Sequence, residues 1–188
     1  MTLSITQEGG SPKQTLWTFH THISVLMICS EYFRNLLKED SEIKRSKWED
    51  VKYDIIVRSY DGFEAIMRFV YTADERQLFK AVDHQEDRIK KIHGILEIMN
   101  QANDLGMSGV RRLCAGKICA GMLSSDFVLS VFETGVTCCE DRLNMYCFNW
   151  IVENWNQLTH SWSEEEKENN NNKLIGLVRK FLVAEIVE

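Results

Sequence analysis

Residues Phe19–Leu37, FHTHISVLMICSEYFRNLL, join a strand ending in a histidine to an apolar helix interrupted by a serine. Val25, Ile28, Cys29, Tyr32 and Leu36 fall at three- and four-residue spacings, and so do Leu26, Cys29, Phe33 and Leu37. Two such rows make a helix apolar around most of its girth, and a helix of that kind is expected to be buried. Ser30 is expected to break or restart the helix, because a serine hydroxyl competes for main-chain hydrogen bonds. His20 and His22 alternate along the strand and face opposite ways. No third ligand is placed beside them, so His22 reads as a buried imidazole bonded to nearby backbone rather than as part of a metal site.

Toward the N-terminus, Leu3-Ser4-Ile5-Thr6 alternates as a short strand, Glu8 to Pro12 reads as a turn, and Thr15 to Phe19 returns, which predicts a hairpin. The single proline sits in its loop, where a missing N–H costs nothing. In the other direction, Asp40 to Asp50 is a charged loop containing Trp48, and Tyr53 to Val57 a strand. Tyr60-Asp61-Gly62 turns into a helix over Phe63 to Val70, and Gln77 to Val82 reads as a short edge strand. Asp83 and Glu86 have capping-box spacing ahead of Ile89, Ile92, Leu96, Met99 and Asn103, so a long helix is predicted to start early. Gly9-Gly10 and Gly106-x-x-Gly109 read as turns.

From Ser124 onward every element reads as helical. Ser124 or Ser125 caps Phe127 to Glu133, and Leu143, Cys147, Trp150, Ile151 and Asn154 form the next stripe. Ser163 to Asn172, SEEEKENNNN, has no apolar residue and reads as a mobile linker. Leu174, Leu177, Val178, Phe181 and Leu182 then form a last amphipathic helix, which needs an apolar partner.

With 188 residues, 44% of them hydrophobic, the chain is large enough to bury a full core as one domain or one and a half. A net charge of −6 repels phosphate backbones, and the only basic run is Arg88-Ile89-Lys90-Lys91, so nucleic acid is not an expected partner. No apolar run nears the roughly 20 residues needed to span a bilayer, and Met1 to Gln14 does not read as a signal peptide. The expected location is therefore intracellular, cytoplasmic or nuclear, with no membrane contact. Six cysteines without a C-x-x-C pair read as small hydrophobes of a reducing compartment. The acidic neighbours Glu140 and Asp141 argue against a reactive thiolate at Cys138-Cys139. The sequence has no nucleophile elbow, phosphate loop, zinc-protease helix or dinucleotide fingerprint, so neither an enzyme nor a cofactor is expected.

Four pieces in order resemble the BTB/POZ family. Phe19-x-x-His22, Val25-Leu26, Ser30-x-Tyr32-Phe33 and Leu36-Leu37 resemble its opening helices. Phe63-x-x-Ile66-Met67-x-Phe69-Val70-Tyr71-Thr72 is similar to its central helix and Tyr-Thr turn. Ile92 to Cys114, with Ala102-Asn103-x-Leu105-x-Met107, is similar to its fourth and fifth helices. Asp126-Phe127-Val128 and Leu143-x-x-x-Cys147-x-x-Trp150-Ile151-x-x-Asn154 resemble the start of the helical BACK extension. The resemblance spans residues 3 to 158. It implies an α+β fold, with a small sheet flanked by helices at 1–120 and an all-α BACK-like extension at 121–188 that includes the linker at 163–172.

The resemblance further implies a protein-interaction adaptor that binds a cullin N-terminal domain within an E3 ubiquitin ligase and brings it an unknown substrate protein. The family's cullin contact uses a hydrophobic-x-Glu motif in the loop after the third helix, the surface near the Tyr-Thr turn and a groove in the following helices. Leu37-Lys38-Glu39 has that pattern, Tyr71 matches the turn, and Leu123, Phe127 and Val131 line the groove. Core packing is the competing role for Leu37 and Phe127. The alternative function is a self-associating scaffold or regulator that binds no cullin. A homodimer is among the expected partnerships, although the helix that commonly swaps across it has no counterpart before Leu3. Three family charges are replaced, by Met1-Thr2-Leu3, Ile23 and Cys29, so the charged pocket that recruits corepressors is expected to be absent.

Overall fold

The computed structural model describes residues 2–8, 17–41 and 52–186, with the side chains of 39–41 and 184–186 excepted. The turn after Glu8, the strand start at Thr15 and Trp48 with its loop beyond Ser41 lie outside the described residues. The chain divides into two compact units, Met1–Arg111 and Arg112–Glu188.

The first unit holds a three-stranded sheet of order β2-β1-β3, formed by β1 (Thr2–Gln7), β2 (Trp17–His20) and β3 (Lys52–Val57). The expected hairpin is present: β1 and β2 are antiparallel, with Thr2 opposite His20 and Ile5 opposite Trp17. β3 lies parallel to β1, Thr2 opposite Lys52 and Gln7 opposite Val57. Parallel pairing needs a crossover, and the segment carrying α1 (Ile23–Cys29) and α2 (Glu31–Ser41) provides it. Leu3, Ser4 and Ile5 are all buried, as a central strand requires, whereas Ile56 on β3 is exposed.

Next come α3 (Tyr60–Thr72), α4 (Glu75–Leu78), α5 (Lys80–Asp83), α6 (Arg88–Asp104) and α7 (Ser108–Cys119). The expected edge strand at Gln77–Val82 is replaced by α4 and α5. Leu78 and Val82 are both buried, and their four-residue spacing suits a helix. Asp74 starts α4, its Oδ1 accepting from the Arg76 N–H at 3.0 Å. The expected Asp83/Glu86 box is also corrected: Asp83 ends α5, and Asp87 caps α6 by accepting from the Ile89 N–H at 2.8 Å. Gly109 lies within α7 rather than in a turn. The division after Arg111 falls within α7.

The second unit contains α8 (Val128–Thr137), α9 (Asp141–Glu153), α10 (Trp155–His160) and α11 (Glu164–Ile186). α8 starts without a side-chain cap: Ser124 contributes its carbonyl, accepting from the Val128 N–H at 3.0 Å. On α9, Leu143, Cys147 and Ile151 are buried as their spacing predicts. Phe132 of α8 meets Phe181 of α11 edge-on at 6.2 Å, and Glu133 pairs with Lys173 at 2.7 Å. All six cysteines are free thiols, with Cys114, Cys138 and Cys147 buried. Burial pushes the Cys147 and Cys119 thiols up.

The linker expected at Ser163–Asn172 is instead the first half of α11. Ser163 and Glu166 form a capping box, the Ser163 N–H donating to Glu166 Oε2 at 2.9 Å and the Glu166 N–H donating to Ser163 Oγ at 3.3 Å. Glu164 pairs with Lys167, and three glutamates in the first turn oppose the helix dipole. The buried Leu174, Leu177 and Phe181 hold the second half. Composition had counted only the missing apolar residues. Among the described residues, no helix is long and apolar enough to cross a membrane.

Two outcomes are expected. Phe33 is fully buried, so Phe33→Ala should cost ~3–5 kcal/mol and lower the thermal midpoint; an unshifted melt would contradict its place in the core. The hydrogen bonds from Ser163 hold the Glu166 carboxyl below its ordinary 4.5. Its contribution to the cap is therefore present above that value and lost as pH falls through the lower folded one. Amide exchange at residues 164–167, corrected for intrinsic rates, should show this end of α11 opening on acidification, and Glu166→Gln should remove most of the dependence.

Candidate protein-interaction surface

The helix break at Ser30 shapes the surface. Ser30 has extended backbone angles, φ −133° and ψ 126°, and its N–H closes α1 on the Leu26 carbonyl at 2.9 Å. Its hydroxyl donates to the Leu105 carbonyl at 2.6 Å and accepts from the Phe33 N–H at 3.2 Å. One buried side chain thus ends one helix, starts the next and ties both to the turn after α6. Arg34 reaches back from α2, Nε donating to the Met27 carbonyl at 3.1 Å and Nη2 to the Ile28 carbonyl at 3.4 Å. These are carbonyls that the last turn of a helix leaves unpaired.

With the break held in this way, the two apolar rows part. Leu26, Phe33 and Leu37 are buried, while Val25 and Leu36 are half-buried and Ile28, Cys29 and Tyr32 are exposed. The expectation of a helix buried all round is corrected: the inner row fills the core, and the outer row stays in solvent with Ile28 at 77% exposure. Such a stripe marks an interaction site more often than isolated exposed residues do.

Tyr71 borders this region from the end of α3. Its hydroxyl accepts from the His22 N–H at 2.8 Å and pairs with Thr21 Oγ1 at 2.5 Å, which pins the start of α1. Tyr71 as a whole is 45% exposed. His22 is exposed rather than buried, and its Nδ1 lies 3.4 Å from the Tyr71 hydroxyl, so the expected imidazole-backbone bond is replaced by contact with a phenol.

The expected partner-binding residues fall in both units, Leu37, Glu39 and Tyr71 in the first and Leu123, Phe127 and Val131 in the second. Leu37-Lys38-Glu39 lies within α2, not in a loop. Leu37 is 1% exposed and packs as core, while the side chain of Glu39 lies outside the described residues. Leu123, Phe127 and Val131 are all buried, so the groove they were expected to line does not present them. Phe127 precedes α8, capping it with φ −136° and ψ 0°. Of the six residues, Tyr71 alone has a described side chain at the surface. Among the described residues no group of histidine, cysteine, aspartate or glutamate is arranged to hold a metal ion.

Sequence reasoning missed two groups that position the surface. Gln101 is buried on α6, and its Oε1 accepts from the Arg58 and Ser59 N–H groups at 2.9 and 3.4 Å, joining the end of β3 to α6. A glutamine among Ile98, Met99 and Ala102 was the available signal. Arg34 was the other; nothing local to its sequence shows that it reaches back across a helix break.

Ser30→Ala removes the donor to Leu105 and the acceptor for Phe33 in a buried setting. The expected loss is ~1–3 kcal/mol, read by chemical denaturation, with faster amide exchange at Phe33; unchanged stability would remove Ser30 from this role.

The model of the BTB/POZ domain family matches residues 16–121, more than half of the chain. No curated protein gives a significant match. The match covers the Ser30 break, the Tyr71 turn and the α6–α7 turn, and on that basis the chain belongs to the BTB/POZ domain family.

Proposed function

We propose that the chain is a protein-interaction adaptor that presents the Val25, Ile28, Cys29 and Tyr32 stripe, with Tyr71, to a partner protein. The single observation that carries this reading is the outer apolar row left in solvent beside the break at Ser30. Burying apolar area is worth about 25 cal/mol per Å², and a rim of polar groups around such a row is the usual anatomy of an interface.

The finer reading takes the partner to be a cullin N-terminal domain and the helices after residue 121 to be a BACK-like extension, which would make the chain an adaptor of an E3 ubiquitin ligase for an unknown substrate. Membership of the family and the helical second unit that follows support it. Glu39 and Tyr71 are its contact residues. Leu37 in the first unit and Leu123, Phe127 and Val131 in the second are buried, so each would act by packing within its own unit. A second reading is favoured by the stripe itself: Val25, Ile28, Cys29 and Tyr32 are apolar, and the exposed charges beside them, Glu31 and Arg34, are of opposite sign, so apolar burial between two copies has no local like-charge cluster to oppose it. The protein would then be a self-associating scaffold.

One pair of variants separates these readings. Ile28→Asp is a surface change and should leave the fold within about 0.5 kcal/mol. It should abolish self-association in sedimentation velocity if the stripe pairs two copies. Calorimetry against a cullin N-terminal domain should show binding that Glu39→Ala weakens by ~10–100-fold. No binding at ~10–100 µM overturns the ligase reading. A monomer that ignores Ile28→Asp in both assays overturns the stripe.

A further inference from the structure

We propose that a cavity in the first unit, away from the stripe, seats one arginine side chain of a partner protein. The cavity has a volume of about 260 Å³ and lies where α3, α5 and α6 meet. That is below the roughly 300–1,000 Å³ of typical small-molecule sites, and it suits one long side chain. Its apolar floor comes from Ala65, Leu78, Val82 and Ile98, all buried in the core. Gly94 lets Val82 of α5 pack close against α6: a Cβ there would come within 2.9 Å of Val82 Cγ2. A floor of this kind covers the methylene stem of a basic residue while its head stays near water.

Charge decides the head group. Asp61 on α3 and Glu97 on α6 both line the cavity and both are exposed, so two carboxylates from two helices face the same space. Neither carboxylate takes part in an ion pair among the described residues. A guanidinium is planar and forked, and it bridges two carboxylate groups where an ammonium meets them as a point charge. Lys90 and His93 also line the cavity, on α6 ahead of Glu97. Lys90 is seven residues from Glu97, about 10 Å along the helix, close to a Debye length at physiological salt. Its charge is therefore largely screened at the Asp61 and Glu97 end. Nothing in this argument depends on the cullin or the self-association reading, so it survives the failure of either.

The test is an NMR titration of the full chain with N-acetyl-arginine methylamide, compared with the matching lysine, leucine and glutamate amides. The arginine probe should give saturable millimolar shifts at the amides of Gly62, Gly94 and Glu97, and the other three should bind at least about tenfold more weakly. Asp61→Asn with Glu97→Gln should remove the preference. Ala81→Trp, at an exposed cavity position, should block binding while leaving the spectrum folded. Leucine or lysine binding as tightly as arginine, retention of binding in either variant, or no shift with arginine would each overturn the proposal.

Discussion

The hydrogen bond from Ser30 Oγ to the Leu105 carbonyl is the contact on which the first unit depends. It joins positions 75 residues apart in sequence and holds the α1–α2 break against the turn that ends α6. That turn is built to receive it. Gly106 has φ +62°, the left-handed region that glycine adopts without strain, and the Met107 N–H returns to the Ala102 carbonyl at 2.8 Å. A Cβ on Gly106 would come within 2.8 Å of Glu31 Cβ, so the residue is constrained both by its backbone angle and by its neighbour. The Tyr32 N–H adds a longer contact to the same carbonyl at 3.4 Å.

From this joint the rest of the interaction surface follows. Phe33 and Leu37 point inward because the second helix restarts in that direction, and Ile28 and Tyr32 are left outside by the same geometry. The Ala102-Asn103-x-Leu105-x-Met107 pattern gains a physical meaning. Ala102, Leu105 and Met107 are buried around the turn, and Asn103 Oδ1 accepts from Arg111 Nη1 at 2.7 Å, fastening α7 to α6. Tyr71 plays the corresponding part at the other end of α1 through Thr21 and the His22 N–H.

Local patterning was a good guide wherever a side chain acts on its own neighbourhood. The hairpin, β3, the break at Ser30, the buried stripe on α9 and the apolar anchors of α11 were all readable, because periodicity and turn chemistry operate over a few residues. The failures share a cause too. Gln77–Val82 looked like a strand by composition, but strand pairing is a long-range event, and burial of Leu78 and Val82 together made it helical. SEEEKENNNN looked like a linker because it lacks apolar residues, yet a capping box and a docked downstream half make it helix.

The sequence by itself determined the α+β class, the order of the family's pieces and the identity of the breaking serine, since those rest on residue types at short spacings. Tertiary structure alone decided which apolar row of the Phe19–Leu37 stretch faces the core. A helix apolar on both sides carries no internal preference, and the choice was made by Leu105 and Gly106, far along the chain. The same holds for Leu37, Leu123, Phe127 and Val131: their spacing fits a groove or a core equally well, and only packing shows that they are buried.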